Sequence, residues 1–421
     1  MVGTWERAHT CNMTGRVTSG LRRAAGCIWF AQALLLAACG GSGGGGGGGD
    51  SLYPIWVPTD VAVADVDGDG RADILTLAQF ASSRNQREGR LIVHIQTSPG
   101  VFSAVQTLSV GEYPWRLAVG DIDGDGAVDA AVVEPEVSGG VWILLQDHGN
   151  RGRLLEANEV ASGIVAYDVA LADLNGDQAP DLAVVDSASN SRRLEILYQD
   201  PAQRGSFQAP MALTVPGTAT TGVAAGDLDG DGRADLAMTV ALPRDGYTPN
   251  SVTGISLQQP DGTMGSVTTV APQNGLNVAR MKIADYDADG VTDVFAYFTP
   301  FSTNYRAKLL VLLQATARGE FAAPVDTSMQ GLKGIDDAVI ADLDGDGRPD
   351  AAVAGFFPVG SPSVVQARLN RFTQSGAGAF ALVSSNDLPI NASRVTAGDV
   401  DGDGRNELVL LGPEDRFLVL D

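Results

Sequence analysis

Asp65-Val66-Asp67-Gly68-Asp69-Gly70-Arg71-Ala72-Asp73 is a nine-residue stretch that recurs along the chain. Six further copies start at Asp121, Asp173, Asp227, Asp285, Asp342 and Asp399, at intervals of 52 to 58 residues. A period of this size, held along the chain, marks a repeat architecture.

Positions 1, 3, 5 and 9 of the stretch carry side-chain oxygens. The sets are Asp65, Asp67, Asp69 and Asp73; Asp121, Asp123, Asp125 and Asp129; Asp173, Asn175, Asp177 and Asp181; Asp227, Asp229, Asp231 and Asp235. They continue with Asp285, Asp287, Asp289 and Asp293; Asp342, Asp344, Asp346 and Asp350; Asp399, Asp401, Asp403 and Glu407. Four carboxylates in one turn repel one another unless a cation lies between them. Hard oxygen donors at this density suit Ca2+, which takes six to eight oxygens at about 2.3–2.6 Å. Gly70 at position 6 allows the sharp turn that a metal-wrapping loop needs. No His or Cys stands within the loops, which disfavours zinc. Up to seven Ca2+ ions are expected. The third site is expected to be weakest, because Asn175 removes a charge and Gln178 replaces the glycine.

The runs flanking the first loop, Val61 to Ala64 and Ile74 to Leu77, are short, apolar and rich in branched residues. They read as strands, so the loop joins two antiparallel neighbours and is no EF-hand. A third strand recurs as Leu91 to Gln96, Trp142 to Gln146 and Val311 to Gln314. A Gly-x-Phe turn into a fourth strand recurs at Gly100, Gly205, Gly319 and Gly378. Four-stranded units repeated radially make a β-propeller. The expected fold is therefore all-β, a seven-bladed propeller over residues 51–421 with a Ca2+ loop between strands one and two of each blade. Leu52 to Trp56 is expected to pair with the last strand and close the ring.

These loops, the Ala118 to Asp121 lead-in and the Gly-x-Phe turns resemble FG-GAP/VCBS repeats, the family that includes the propeller of integrin α-subunits. The resemblance implies a Ca2+-loop propeller at a cell surface and leaves the ligand open.

The N-terminal segment carries a different signal. Arg16, Arg22 and Arg23 precede an apolar run from Ala24 to Leu36, which ends in Leu36-Ala37-Ala38-Cys39. This order resembles a bacterial lipoprotein signal, residues 1–38, with Cys39 lipidated. Residues 39–50 then form a glycine-rich tether. The expected place is outside the cytoplasm, lipid-anchored to a bacterial membrane, at the outer membrane or cell surface.

Formal net charge is -23, and the loops hold 27 of the 51 acidic residues. That balance opposes nucleic acid, which needs a basic footprint. No nucleophile elbow, phosphate-binding loop or His-Glu-x-x-His motif is present. The expected function is a non-catalytic binding or adhesion module for protein or glycan. The alternative is a surface polysaccharide lyase or hydrolase, since a carboxylate pair suffices for glycosidase chemistry. Arg244, Tyr247, Phe301, Tyr305 and Arg306, aromatics beside arginines on the strand two–three connections, are the candidate ligand contacts.

Overall fold

The second strand of each repeat is a short apolar run, and the fold covers that run on both sides. Asp129–Val133, Asp181–Asp186 and Glu407–Leu411 are buried at every position. Outer strands are wetter: Val101–Ser109 alternates exposed with half-buried residues, and Phe380–Asp387 is largely exposed. The first strands, such as Arg116–Gly120 and Arg394–Gly398, are partly exposed as well, so burial peaks at the second strand, as it does when sheets stand side by side around an open axis.

The computed structural model describes residues 55–81, 87–136, 139–188, 193–245, 248–274, 276–286, 291–300, 308–312, 321, 325–328, 334–359, 364–374 and 379–421. The expectations for residues 1–54, including Cys39 and the tether, lie outside them. Six sheets have four strands each, over residues 55–109, 116–162, 166–214, 223–274, 276–328 and 334–387. Each strand runs antiparallel to the next in sequence. The propeller of four-stranded blades is as expected, but four-stranded blades number six. The last sheet, residues 394–420, has three strands among the described residues.

Apolar side chains from successive sheets meet in separate cores. Leu75, Leu77, Leu91 and Val93 pack with Ala130, Val132 and Leu144 between the first two sheets. Val61 and Ile74 of the first sheet pack with Val400, Val409 and Leu411 of the last. The described sheets thus form a closed ring. Each fully buried Leu or Val contributes roughly 1.5–3 kcal/mol, so these cores hold the ring together.

The closure differs from the strand exchange expected of Leu52 to Trp56. Ile55 pairs with Ala81 and Trp56 with Phe80, inside the first blade; Leu52 to Pro54 lie outside the described residues. The reason is local. Ile55–Ala64 runs ten residues, past a bulge between Pro58 and Asp60, and so reaches back over the residues assigned to another blade. Trp56 is then held by Phe80, with ring centroids 5.2 Å apart, and by the Arg90 guanidinium 3.5 Å from its ring centroid.

The seam between last and first sheets is instead closed by side chains and by one backbone bond, Gly100 N–H to the Val400 carbonyl at 3.3 Å. Arg90 pairs with Asp415. Phe417 meets His94 at 5.2 Å and Phe102 at 5.7 Å, edge to face in both cases. His94 also lies 3.3 Å from the Thr76 hydroxyl, and burial pushes its pKa down to about 4. An imidazole depressed below its ordinary value of about 6.5 contributes stability that is full above pH 6.5 and lost as pH falls toward 4. We expect up to about 3 kcal/mol of this loss to belong to His94. Urea unfolding at pH 7 and pH 4.5 measures it: His94→Gln should flatten the difference, and an unchanged slope in that variant would exclude the assignment.

Candidate metal loops and an axial charge ring

Each loop is wound by its own carboxylates. In the first, Asp65 accepts N–H bonds from Asp69 (3.0 Å) and Gly70 (2.9 Å). Asp121, Asp227 and Asp399 receive the equivalent pairs of bonds. The position-9 carboxylate is buried and works in two directions. Its one oxygen accepts the N–H of position 2, as in Val66 to Asp73 and Ile122 to Asp129, both 2.8 Å. Its other oxygen accepts the N–H of a glutamine near the end of the third strand, as in Gln96 to Asp73 (2.8 Å) and Gln146 to Asp129 (2.7 Å).

Among the described residues, carboxylate oxygens from positions 1, 3 and 9 lie within 4.8 Å of one another in at least four loops: Asp65/Asp67/Asp73, Asp121/Asp123/Asp129, Asp227/Asp229/Asp235 and Asp342/Asp344/Asp350. Position 5 is held differently. Asp69 pairs with Arg71, Asp231 with Arg233, and Asp346 with Arg348 at 2.7 Å. Burial, with repulsion from the other loop acids, pushes the Asp129 and Asp235 carboxyls up to about 6 and Asp181 up to about 7, although backbone N–H groups pull the other way. Three converging hard oxygens whose charges are costly to keep apart from a counterion are a donor set that fits a divalent cation.

The same glutamines stitch blade to blade. Gln199 Nε2 donates to the Ile122 carbonyl in the preceding loop (2.7 Å), and Gln146 Nε2 to that of Val66 (2.5 Å). Gln258 reaches Asp173 O at 3.2 Å, and Gln96 reaches Val400 O across the seam. Every loop so bonded is fixed both to its own sheet and to the next.

At the opposite end of the innermost strands lies a second constellation. Five residues before the loops stand Asp60, Arg116, Asp168, Gly222, Arg280, Asp337 and Arg394. Round the ring the signs alternate, with one neutral place at Gly222. Asp60 accepts from Arg280 Nη2 (2.6 Å) and from the Leu117 N–H of the next blade (3.0 Å). Asp337 accepts from Arg280 Nη1 (3.1 Å), Tyr297 Oη (2.9 Å) and the Val395 N–H of the next blade (3.2 Å). Asp168 accepts the Val223 N–H at 3.2 Å. Arg280 therefore bridges the first and sixth blades from the fifth. Burial raises the Asp337 carboxyl, but Arg280, Arg394 and Arg116 outweigh it and hold the group below the usual carboxylate range. Strand register shifts just before Asp60, Arg280 and Asp337 re-aim the chain at these positions.

Family models match two parts of this architecture: an FG-GAP-like repeat over residues 173–238 and an FG-GAP repeat over residues 57–94. The chain carries FG-GAP repeats. This FG-GAP propeller is similar to integrin alpha pat-2 of Caenorhabditis briggsae, 31% identical over 158 residues, which are 30% of this chain and 13% of that protein. It is also similar to integrin alpha pat-2 of Caenorhabditis elegans, 30% identical over 207 residues, 41% of this chain and 16% of that protein. The alignments thus span 13% and 16% of these relatives' length. Among solved structures it is similar to the exotype rhamnogalacturonan lyase YesX, with a TM-score of 0.49 and 15% identity over 87% of this chain and 72% of that one.

Of the residues expected in the FG-GAP loops, positions 1, 3 and 9 are brought together in the four loops above. Asp287 and Asp289 lie outside the described residues, as do Tyr247, Phe301, Tyr305, Arg306 and the side chain of Arg244. In the seventh loop Glu407 does the work of an aspartate, with Oε2 accepting the Val400 N–H at 2.8 Å. Sequence reasoning missed three things: the glycine at position 4, left-handed in Gly68, Gly124 and Gly230; the bridging glutamines; and the axial ring. Aligning the repeats on the loop would have displayed all three.

The third loop carries a visible cost. Gln178, at φ 68°, adopts the left-handed conformation that Gly70, Gly126 and Gly232 take in their loops. A residue with a Cβ is strained there by roughly 1–2 kcal/mol. Gln178→Gly should therefore raise the unfolding free energy by about 1 kcal/mol in urea titration; a loss would show that the turn is not strained by its side chain.

Proposed function

We propose that this propeller is a non-catalytic binding module, lipid-anchored through Cys39 outside the cytoplasm of a bacterium and stabilised by Ca2+ in its acidic loops. The observation that carries the reading is the repeated triad of converging carboxylates, wound by backbone N–H groups and tied to the next blade. Residues at positions 1, 3 and 9 would hold the ion, which supplies charge compensation and no chemistry of its own. What the chain's own groups do is fix the loops: position 1 sets the turn, position 9 anchors it, and the third-strand glutamine passes the constraint on. A rigid ring then presents its connecting loops to a protein or glycan. The FG-GAP repeats and the similarity to integrin alpha chains support such a binding role.

The carboxylates give the reading a measurable consequence. A site with Ca2+ at 100 times its dissociation constant adds about 2.7 kcal/mol to the folded state, and several sites add accordingly. Detergent-purified full chain, with intact mass reporting acylation of Cys39, should lose about 10 °C or more of melting temperature when Ca2+ is replaced by EGTA. Capture on a protein and glycan array should fall with it. An unchanged melting curve would overturn the metal reading, and turnover of an array glycan would replace the binding module with an enzyme.

A further inference from the structure

The turn from the third to the fourth strand of a blade lies against the acidic loop of the blade before it, and in two blades it sets an arginine there. Arg204 Nη1 donates to the Asp123 carbonyl at 3.2 Å and to that of Gly124. Arg151 Nη1 lies 2.6 Å from where a Cβ on Gly68 would stand. In both turns the arginine precedes a left-handed glycine, Gly152 at φ 82° and Gly205 at φ 74°. The sequence repeats the pair as Arg318-Gly319. Blade four breaks the pattern. Its left-handed glycine is Gly262, at φ 81°, and Asp261 precedes it. Gly262 abuts Asn175 at position 3 of the third loop, as Gly152 abuts Asp67 in the first. An acid therefore stands where the two preceding blades place a cation.

The exchange leaves an open cleft. About 570 Å3 lies between the third loop and this turn, a volume in the range of small-molecule sites. Asp173, Asn175 and Gly176 line it on the loop side, and Arg233, Gln259 and Asp261 on the other. Gly176 is exposed, and no atom beyond its chain neighbours lies within 4 Å of where its Cβ would stand. The cleft is short of donors. Arg233 is committed to Asp231 and, through Nε at 3.2 Å, to the Gln258 carbonyl. Gln258, which also lines the cleft, is 2% exposed and has no donor at Oε1. In the preceding blade Gln199 Oε1 accepts the Gly205 N–H at 2.9 Å. Asp261 is exposed, its carboxylate fixed by the Thr263 N–H at 3.1 Å and Oγ1 at 2.7 Å.

We propose that this cleft takes an arginine side chain from a partner protein, which covers the third loop as Arg204 covers the second. Its guanidinium would donate to the Gly176 carbonyl, the counterpart of Gly124, and to the Asp261 carboxylate, with Asp173 adding attraction. The planar fork serves a carbonyl and a carboxylate at once, which a compact, strongly hydrated ammonium does less well. An anionic ligand would meet both carboxylates and be repelled. The inference rests on the binding-module reading and makes its ligand a protein.

The test is titration of the full chain in Ca2+ with Nα-acetyl-arginine amide, against the citrulline and lysine counterparts and free L-arginine. Labelling with carbonyl-13C asparagine and 15N glycine leaves two paired amide signals, Gly176 and Gly275, and Asn175→Asp removes the first. The arginine amide should move the Gly176 signal. The citrulline amide, similar in shape and uncharged, should not, and the lysine amide should bind about threefold more weakly or worse. Asp261→Asn should weaken the arginine amide about threefold. Asp261→Arg, which restores the residue of the two preceding blades, should abolish the response and shift the melting temperature by no more than about 2 °C. A Gly176 signal unmoved by the arginine amide, equal binding of the citrulline or lysine amide, tighter binding of free arginine, undiminished binding in Asp261→Asn, or displacement of the amide by further Ca2+ would each overturn the proposal. Array capture that survives Asp261→Arg, with no arginine response in the parent chain, would sink this inference and leave the binding module standing. An arginine response in a chain that captures no protein from the array would keep the guanidinium site and remove the protein-binding role.

Discussion

A buried carboxylate at the ninth loop position is the tie on which the rest of this ring depends. Asp73, Asp129, Asp181 and Asp235 each spend one oxygen on the loop and the other on the glutamine near the end of the third strand. Losing such a group would leave two N–H donors without partners in the interior, each worth roughly 1–3 kcal/mol. The glutamine, once placed, turns its amide to the preceding blade. Local turn chemistry thereby becomes a contact between sheets.

The axial ring answers a different problem. An odd number of places cannot alternate two signs without setting like charges side by side. Gly222 supplies the neutral place, between Asp168 and Arg280. It has little room for more: an added Cβ would lie 3.2 Å from Thr239 and 3.6 Å from Asp168. Buried ion pairs of this kind add little net stability but cost about 3–5 kcal/mol when one partner is removed. Their sign pattern also discriminates against wrong neighbours, so the ring constrains which sheet lies beside which.

Much of this was legible in the sequence, and the reasons are specific. The loops announce themselves, since Asp-x-Asp-Gly-Asp-Gly stands out against apolar strands and repeats at an even period. The strand order within each blade follows from the apolar runs. Two features were hidden. Ile55 and Trp56 look detached from the first blade because their partners, Ala81 and Phe80, are more than twenty residues away and a bulge at Thr59 breaks the alternation. The axial charges escaped because each is a single Asp or Arg in an ordinary strand, meaningful only when seven strands are set side by side. Gln178 shows the converse: its departure from glycine was plain in the sequence, and the structure adds that its backbone is left-handed.

The bond from Gln96 to Val400 joins the last repeat to the first, and it changes what kind of system the molecule is. In an open array, stability adds from neighbour to neighbour and the terminal repeats fray first. A circle has no terminal repeat. To release any one sheet, two interfaces must open together, so damage cannot begin cheaply at an end and creep inward. The seam beside Phe417–Leu420, where aromatic rings, the Gln96 amide, Arg90 and the Val61 and Ile74 core all cross from the first sheet to the last, is where that circle is completed.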